Sequence, residues 1–271
     1  MLSIVKRVYT WFYNHYIHYR ARKIRGWQLF TSKRLNLRLL LNCNNFIDFI
    51  IRENEYFEKE VLTAIDVYSS DKDFLFIDVG SQLGQFSLYV KKRLPQAGVL
   101  SFEPNLAAYH QQQANMLING LDYTLIPKAL SLEAGVAPFY TPSDNYTDGY
   151  GKQNPGVGSL VNEPLSLIFD TTVETEMLDN YRSTWNNYEN ILLKIDVEGA
   201  EWMVLAGSRE LMSSGKKINL IVEQFPDNHP ESVVRVRKWL KDWGFRQCNQ
   251  EWQMQAEDAY EQQFGNLFYK R

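Results

Sequence analysis

The chain has 271 residues, room for one large α/β domain with additions or for two small domains at roughly 100–200 residues each. Its composition of 45% hydrophobic, 14% aromatic and 23% charged residues excludes wholesale disorder, collagen-like and coiled-coil chains. Two cysteines, Cys43 and Cys248, with no CxxC pair, argue against a disulfide framework or a cysteine-rich zinc site and fit a reducing compartment. The net charge of −3 hides an asymmetry, because residues 1–40 carry nine Lys and Arg and no Asp or Glu, leaving −12 for residues 41–271.

Such a basic block seeks an anionic surface, lipid head groups or nucleic acid, or lies against the acidic body of its own chain. The acidic body argues against broad nucleic-acid binding. Ile4, Val5, Val8, Trp11, Phe12, Tyr16 and Tyr19 follow i, i+3, i+4, i+7 spacing and predict an amphipathic helix over residues 3–20. Its uncharged run, Val8 to Tyr19, is twelve residues long, short of the about 20 needed to cross a bilayer. No small-residue cleavage site follows it. The expectation is a cytoplasmic protein whose residues 1–40 make peripheral contact with the inner membrane face or pack on a partner.

Leu37–Leu41 then reads as a strand and Asn42–Asn45 as a turn. Phe46, Phe49, Ile50, Tyr56, Phe57, Val61, Leu62 and Ile65 recur at helical spacing with one shift. From Phe74 strands and helices alternate. The predicted order is strand Phe74–Val79, helix Gln85–Arg93, strand Gly98–Phe102, helix Ala107–Asn119 closed by Gly120, and strand Tyr123–Ile126. The triple glutamine Gln111–Gln113 reads as helix surface. Ala137–Thr141 reads as an antiparallel excursion and Pro142–Pro164 as one long loop, of the length that is usually functional. Strand Ile191–Asp196, helix Ala200–Ser213, strand Ile218–Glu223 and helix Ser232–Trp243 complete a doubly wound, mostly parallel sheet, which binds ligands at the carboxyl ends of its strands.

Three motifs sit at those ends. Asp78-Val79-Gly80-Ser81-Gln82-Leu83-Gly84 is a D-x-G-x-x-x-G turn into a helix, where glycines let backbone approach a ligand and free N–H groups face it. The dinucleotide fingerprint needs a glycine where Gln82 stands, which argues against a pyrophosphate cradle. In Ser101-Phe102-Glu103-Pro104-Asn105 an acid 25 residues after Asp78 ends the second strand, where a carboxylate holds both hydroxyls of a ribose. Ala129, in Lys128-Ala129-Leu130-Ser131, is placed to wall an adenine ring or simply to pack a loop. Leu193-Lys194-Ile195-Asp196-Val197-Glu198-Gly199-Ala200-Glu201 sets three acids in six residues, and Glu223 ends the next strand. If those strands are neighbours, Asp196 and Glu223 lie close, and a shared proton or a divalent metal would relieve their repulsion. Glu201 is expected in the first turn of its helix, with Lys194 as a counter-ion to Asp196.

Together, FIDVGSQLGQFS (76–87), SFEPN (101–105), IPKALS (126–131), LLKIDVEGAEWMVLAG (192–207) and IVEQF (221–225) resemble the FkbM-type methyltransferases. The resemblance covers roughly residues 55–248, and LLKIDVEGAEWMVLAG is its most specific part. It implies a class I methyltransferase fold, Rossmann-like, with a seven-stranded sheet and a reversed last strand. It implies S-adenosylmethionine as cofactor and methyl transfer to a hydroxyl, often of a sugar or secondary metabolite. It divides the chain into a basic, helical N-terminal extension (1–54) and a methyltransferase domain (55–271). Asp78, Gly80 and Gly84 match its first cofactor motif and Glu103 its ribose acid; Ser81-Gln82 stands where the family often has Ala-Asn.

A hydroxyl acceptor usually needs a base or a cation as its oxygen charge develops. Asp196, Glu198 and Glu223 are the candidates, with His229, just beyond Glu223, as a second type of base. Tyr146, Tyr150, Asn154 and Ser159 of the long loop are expected to grip the acceptor, aromatic faces and amides suiting a carbohydrate. Replacing Tyr150 and Asn154 with alanine is expected to raise the acceptor KM with cofactor binding intact. Two competing readings are a nicotinamide-dependent oxidoreductase or epimerase, disfavoured by Gln82, and a non-catalytic membrane or nucleic-acid adaptor using the basic arm.

Overall fold

The computed structural model describes residues 16–69, 73–143, 151–153, 158–162, 167–254 and 264–271. Its N-terminal part is a helix over residues 16–23 (α1), a hairpin of β1 (Trp27–Ser32) and β2 (Leu37–Asn42), and helices α2 (Phe46–Asn54) and α3 (Lys59–Tyr68). Then come β3 (Phe74–Val79), α4 (Gln85–Arg93), β4 (Gly98–Phe102), α5 (Leu106–Asn119) and β5 (Thr124–Ile126). An excursion follows: β6 (Ala129–Leu130), β7 (Gly135–Pro142) and β8 (Leu167–Glu176) form a three-stranded sheet in the order β6-β8-β7. The chain returns through a 3-10 turn (Leu178–Tyr181), α6 (Arg182–Trp185), β9 (Asn190–Ile195), α7 (Glu201–Ala206), α8 (Arg209–Ser213), β10 (Lys217–Gln224), α9 (Pro230–Asp242), β11 (Arg246–Cys248) and β12 (Gly265–Lys270).

The main sheet has seven strands in the order β11-β12-β10-β9-β3-β4-β5. β5, β4, β3, β9 and β10 are parallel, whereas β12 runs antiparallel to both β10 and β11. β12 is the reversed last strand. All six residues of β3 are buried, as helices on both faces of a parallel sheet require. The chain leaves β3 toward β4 and β5, then crosses to β9 and β10 on the other side. That places the topological switch point between the carboxyl ends of β3 and β9.

Several sequence expectations change. Residues 16–23 continue the predicted helix, but its buried residues are Ile17 and Ala21, while Tyr16 and Tyr19 of the expected stripe are exposed; residues 3–15 lie outside the described residues. The region expected to be a helical extension contains the β1–β2 hairpin. Ile17, Leu39 and Phe49 from it share one core with Val61, Phe74, Phe76 and Leu88. Asn115 and Asn119 of α5 accept hydrogen bonds from Leu40 N and Arg38 N, fastening the hairpin to the sheet domain. Helical spacing from Phe46 to Ile65 resolves into two helices, separated where Glu55 turns left-handed with φ 72°.

Gln111 and Gln112 are buried rather than surface residues. Their amides carry hydrogen bonds that no apolar residue could supply, from Gln111 to Asp48 and from Gln112 to Tyr123. The predicted helix Ala200–Ser213 breaks into α7 and α8 at Gly207, where a Cβ would lie 2.1 Å from the Ser131 carbonyl oxygen. β8 falls where no strand was expected, and its exposed run from Ile168 to Thr172 lacks the alternation that marks a half-buried strand.

Candidate active site

A cavity of about 430 Å³ opens at the switch point. The β3–α4 turn forms one wall, and the turn is held by close approach. A Cβ on Gly80 would lie 1.8 Å from the Asp196 carbonyl oxygen, so only glycine lets the β3 and β9 loops meet. Gln82 sits left-handed at φ 49° and its N–H donates to Glu103 Oε2 at 2.8 Å. Asn105 N–H donates to Glu103 Oε1 at 2.8 Å, and the Asn105 side chain caps α5 by accepting from Ala107 N and Ala108 N. Burial pushes the Glu103 carboxyl up to about 7, against the pull of those two N–H groups. A carboxylate has about four acceptor sites, and Glu103 has spent two.

Gly80, Ser81, Gln82, Glu103, Pro104, Asn105 and Ala129, the residues expected to bind the cofactor, all line the cavity. Asp78 and Gly84 do not. Asp78 is fully buried, and its Oδ2 accepts from Ser87 Oγ at 2.6 Å, which directs the side chain beneath the turn instead of into the cavity. Burial holds its carboxyl above the ordinary value. At Gly84 a Cβ would lie 2.5 Å from Gln112 Cγ, so this glycine lets α4 begin against α5. Both residues shape the turn from outside.

The opposite wall carries the acids. Lys194, 1% exposed, donates from Nζ to Asp196 Oδ2 at 2.6 Å and lies 5.1 Å from the centre of the Phe86 ring. Burial alone would lower this ammonium's pKa, but Asp196, Glu58 and Asp78 outweigh it and raise it. Asp196, Glu223 and Glu58 each bring a carboxylate oxygen to within 4.8 Å of the other two. Burial first, then Asp196 and Glu198, raise Glu223 well above the ordinary carboxylate range. Asp196 and Glu223 are thus neighbours, as adjacency of β9 and β10 requires.

Glu198 lines the cavity with left-handed backbone, φ 52°, and burial raises its carboxyl. His229 stands behind it, 6% exposed, with Nε2 3.9 Å from Glu198 Oε2 and its ring over Gly199, where a Cβ would lie 2.5 Å from Nδ1. The histidine is not a cavity-lining residue, so any effect it has on chemistry passes through Glu198. Glu201 closes the loop: Oε1 accepts from Gly199 N at 2.9 Å and Oε2 from Ser232 Oγ at 3.1 Å, the first-turn role expected of it. Ser159 lines the cavity, and its Oγ donates to the Glu198 carbonyl at 2.6 Å. Tyr146, Tyr150 and Asn154 lie outside the described residues.

Sequence reasoning missed the wall contributed by the N-terminal part. Phe46, Ile47, Ile51, Phe57 and Glu58 line the cavity with Phe139, Leu160 and Phe225. Their spacing reports only a buried helix face, and nothing local marks them as facing a ligand. Lys194 is more than a counter-ion to Asp196: its ammonium also interacts with Glu58 and Asp78.

A parallel sheet with one reversed strand, a glycine turn after its first strand and an acid ending its second is the class I methyltransferase architecture. The Methyltransferase FkbM domain matches residues 78–247, and the chain belongs to that family of methyltransferases. "Methyltransferase 1" of Beauveria bassiana (strain ARSEF 2860) is 30% identical over 169 residues, 57% of this chain and 67% of the relative. "Methyltransferase sdnD" of Sordaria araneosa is 26% identical over 226 residues, 71% of this chain and 82% of the relative. Among solved structures, the Pyrococcus abyssi tRNA (uracil-54, C5)-methyltransferase in complex with S-adenosyl-L-homocysteine has 14% identity and a TM-score of 0.41. That match takes in 83% of this chain and 40% of the other.

Proposed function

We propose that this methyltransferase moves the methyl group of S-adenosylmethionine to a hydroxyl of a sugar, glycan or secondary metabolite. Family membership favours this over the oxidoreductase and adaptor readings. The observation that carries it is Glu103, a buried carboxylate on the cavity wall with two acceptor sites unspent, across from a carboxylate cluster built around Lys194. A ribose fits the first feature and a hydroxyl acceptor the second.

When bound, the cofactor supplies an electrophilic methyl on a sulfonium. Glu103 would hold its ribose hydroxyls, the Gly80–Gln82 backbone and Asn105 would border it, and Ala129 would lie against the base. Asp196 and Glu223 would take the proton of the acceptor hydroxyl, Lys194 holding the Asp196 carboxylate in place by its hydrogen bond, and Glu198 and Ser159 would shape the loop beside them. The apolar wall from Phe46 to Phe57 excludes water, which strengthens these charge interactions. We also propose that the basic segment, residues 1–40, contacts an anionic membrane surface; exposed Tyr16, Tyr19 and Trp27 suit the interface. Among the described residues no helix is long and apolar enough to cross a membrane.

The test is transfer of labelled methyl from S-adenosylmethionine to a panel of polyhydroxylated acceptors. Asp196→Asn and Glu223→Gln are expected to cut turnover at least 100-fold, within the range for general-base loss, with S-adenosylhomocysteine affinity retained. Label recovered only on amines or carbon would sink the hydroxyl reading.

A further inference from the structure

The turn that opens α3 brings one more carboxylate to the reaction centre. Glu58 lines the cavity beside Asp196 and Glu223, one oxygen of each lying within 4.8 Å of the other two. It stands outside residues 78–247, the span of the family match. Its backbone is left-handed at φ 50°, a conformation that a non-glycine residue keeps only where the surroundings fix it. Gln85 fixes it. The Gln85 side chain accepts from Phe57 N at 2.7 Å and donates to the Phe57 carbonyl at 2.9 Å, so the first residue of α4 clamps the peptide preceding Glu58. Glu58 and Phe225 also line a second cavity, of about 570 Å³, between the start of α3 and the β11–β12 edge.

We propose that Glu58 is a third carboxylate of the reaction centre, sharing with Asp196 and Glu223 the proton that the acceptor hydroxyl releases; this rests on the hydroxyl-methylation reading above. In the transfer the acceptor O–H bond breaks and an O–CH3 bond forms. The carbon–sulfur electron pair returns to sulfur, and the proton passes to the carboxylates. Three carboxylates this close repel one another when all are ionised beside a single ammonium. The groups facing Glu58 are Lys194 and Asp196 at the end of β9, Glu223 on β10, Asn266 on β12 and Glu60 on its own helix. Burial, opposed by Lys194 and aided by Asp196, pushes Glu58 up to about 7. The raised Glu58 carboxyl can take up a proton near neutral pH, the poise a general base needs. The proton belongs to the group and not to one residue.

The experiment is an infrared pH titration of the protonated-carboxyl band in the full chain, comparing wild type, Glu58→Gln and Glu223→Gln, with S-adenosylhomocysteine binding as the control for fold and donor site. Glu58→Gln should remove one carboxyl that titrates near pH 7 and move the Glu223 midpoint down, because a negative neighbour has gone. Glu223→Gln should lower the Glu58 midpoint in return, which keeps the test alive if the first variant fails to fold. A Glu58 carboxyl titrating in the ordinary glutamate range, or a Glu223 midpoint indifferent to Glu58→Gln, overturns the proposal. So does a magnesium ion, added as its chloride, that wild type binds tightly, that abolishes the shared titration and that Glu58→Gln no longer holds. Absence of S-adenosylhomocysteine binding to folded wild type overturns the underlying methyl-transfer reading, whereas an unshifted Glu58 in protein that binds it overturns this proposal alone.

Discussion

Glu103 joins the β3–α4 turn to the start of α5 through two N–H donors, so one side chain both fastens the turn and lines the cavity. Burial keeps that carboxyl near 7, and a ribose diol binds its ionised form. Affinity for S-adenosylhomocysteine is therefore expected to fall several-fold as pH drops from 8 to 6. In Glu103→Gln the remaining affinity should be flat over that range, and calorimetry at the two pH values checks both. Gly80 fails differently on substitution. A Cβ 1.8 Å from the Asp196 carbonyl, at φ 79°, forces the β3 and β9 loops apart. Gly80→Ala should cost roughly 3 kcal/mol or more, in the range of strain at a special backbone position, read as a lowered denaturant midpoint.

At the scale of elements, α5 does more than cover the sheet. Gln112, fully buried, accepts from Ser81 Oγ at 2.7 Å and donates to the Tyr123 hydroxyl at 2.9 Å, linking the β3–α4 turn to the approach of β5. Gln112→Ala removes the donor to the Tyr123 hydroxyl and leaves Ser81 Oγ only its long contact to the Phe102 carbonyl at 3.4 Å; it should cost about 1–2 kcal/mol, measured by urea unfolding. Gln112→Leu should fare no better, since the loss is of polar partners and not of volume. Strands β3, β4, β9 and β10 were legible because continuous apolar runs ending in Gly or an acid have few other readings. The site motifs were legible for the same reason, lying at the ends of those strands. Buried glutamines were not, because a polar triplet looks the same in water and in a satisfied network. Nor was Glu58: its position at the cavity depends on the Gln85 clamp on Phe57, a contact between residues 28 apart that no local pattern records.

The whole molecule buries acids whose proton affinity is raised: Asp48 to about 6, and Glu58, Glu103 and Glu201 to about 7, burial being the leading cause in each. The folded state thus binds protons more tightly than the unfolded chain between about pH 4 and 7, so the stability these groups give is present at low pH and lost as pH rises through their folded values. The thermal midpoint of the ligand-free chain is expected to be higher at pH 6 than at pH 8 by calorimetry. Charge is divided as unevenly as chemistry, with +9 in residues 1–40 and −12 in the rest. Co-sedimentation with anionic vesicles should fall as salt screens that block, and binding unaffected by salt would remove the membrane proposal. The proposed methyl-donor site is the switch-point cavity framed by Gly80, Gln82 and Glu103. Calorimetric titration of wild type, Glu103→Ala and Glu223→Gln with S-adenosylhomocysteine tests it most directly. One molecule is expected to bind per chain of wild type and Glu223→Gln, and none to folded Glu103→Ala; binding untouched by Glu103→Ala, or absent from folded wild type, would rule out a donor site there.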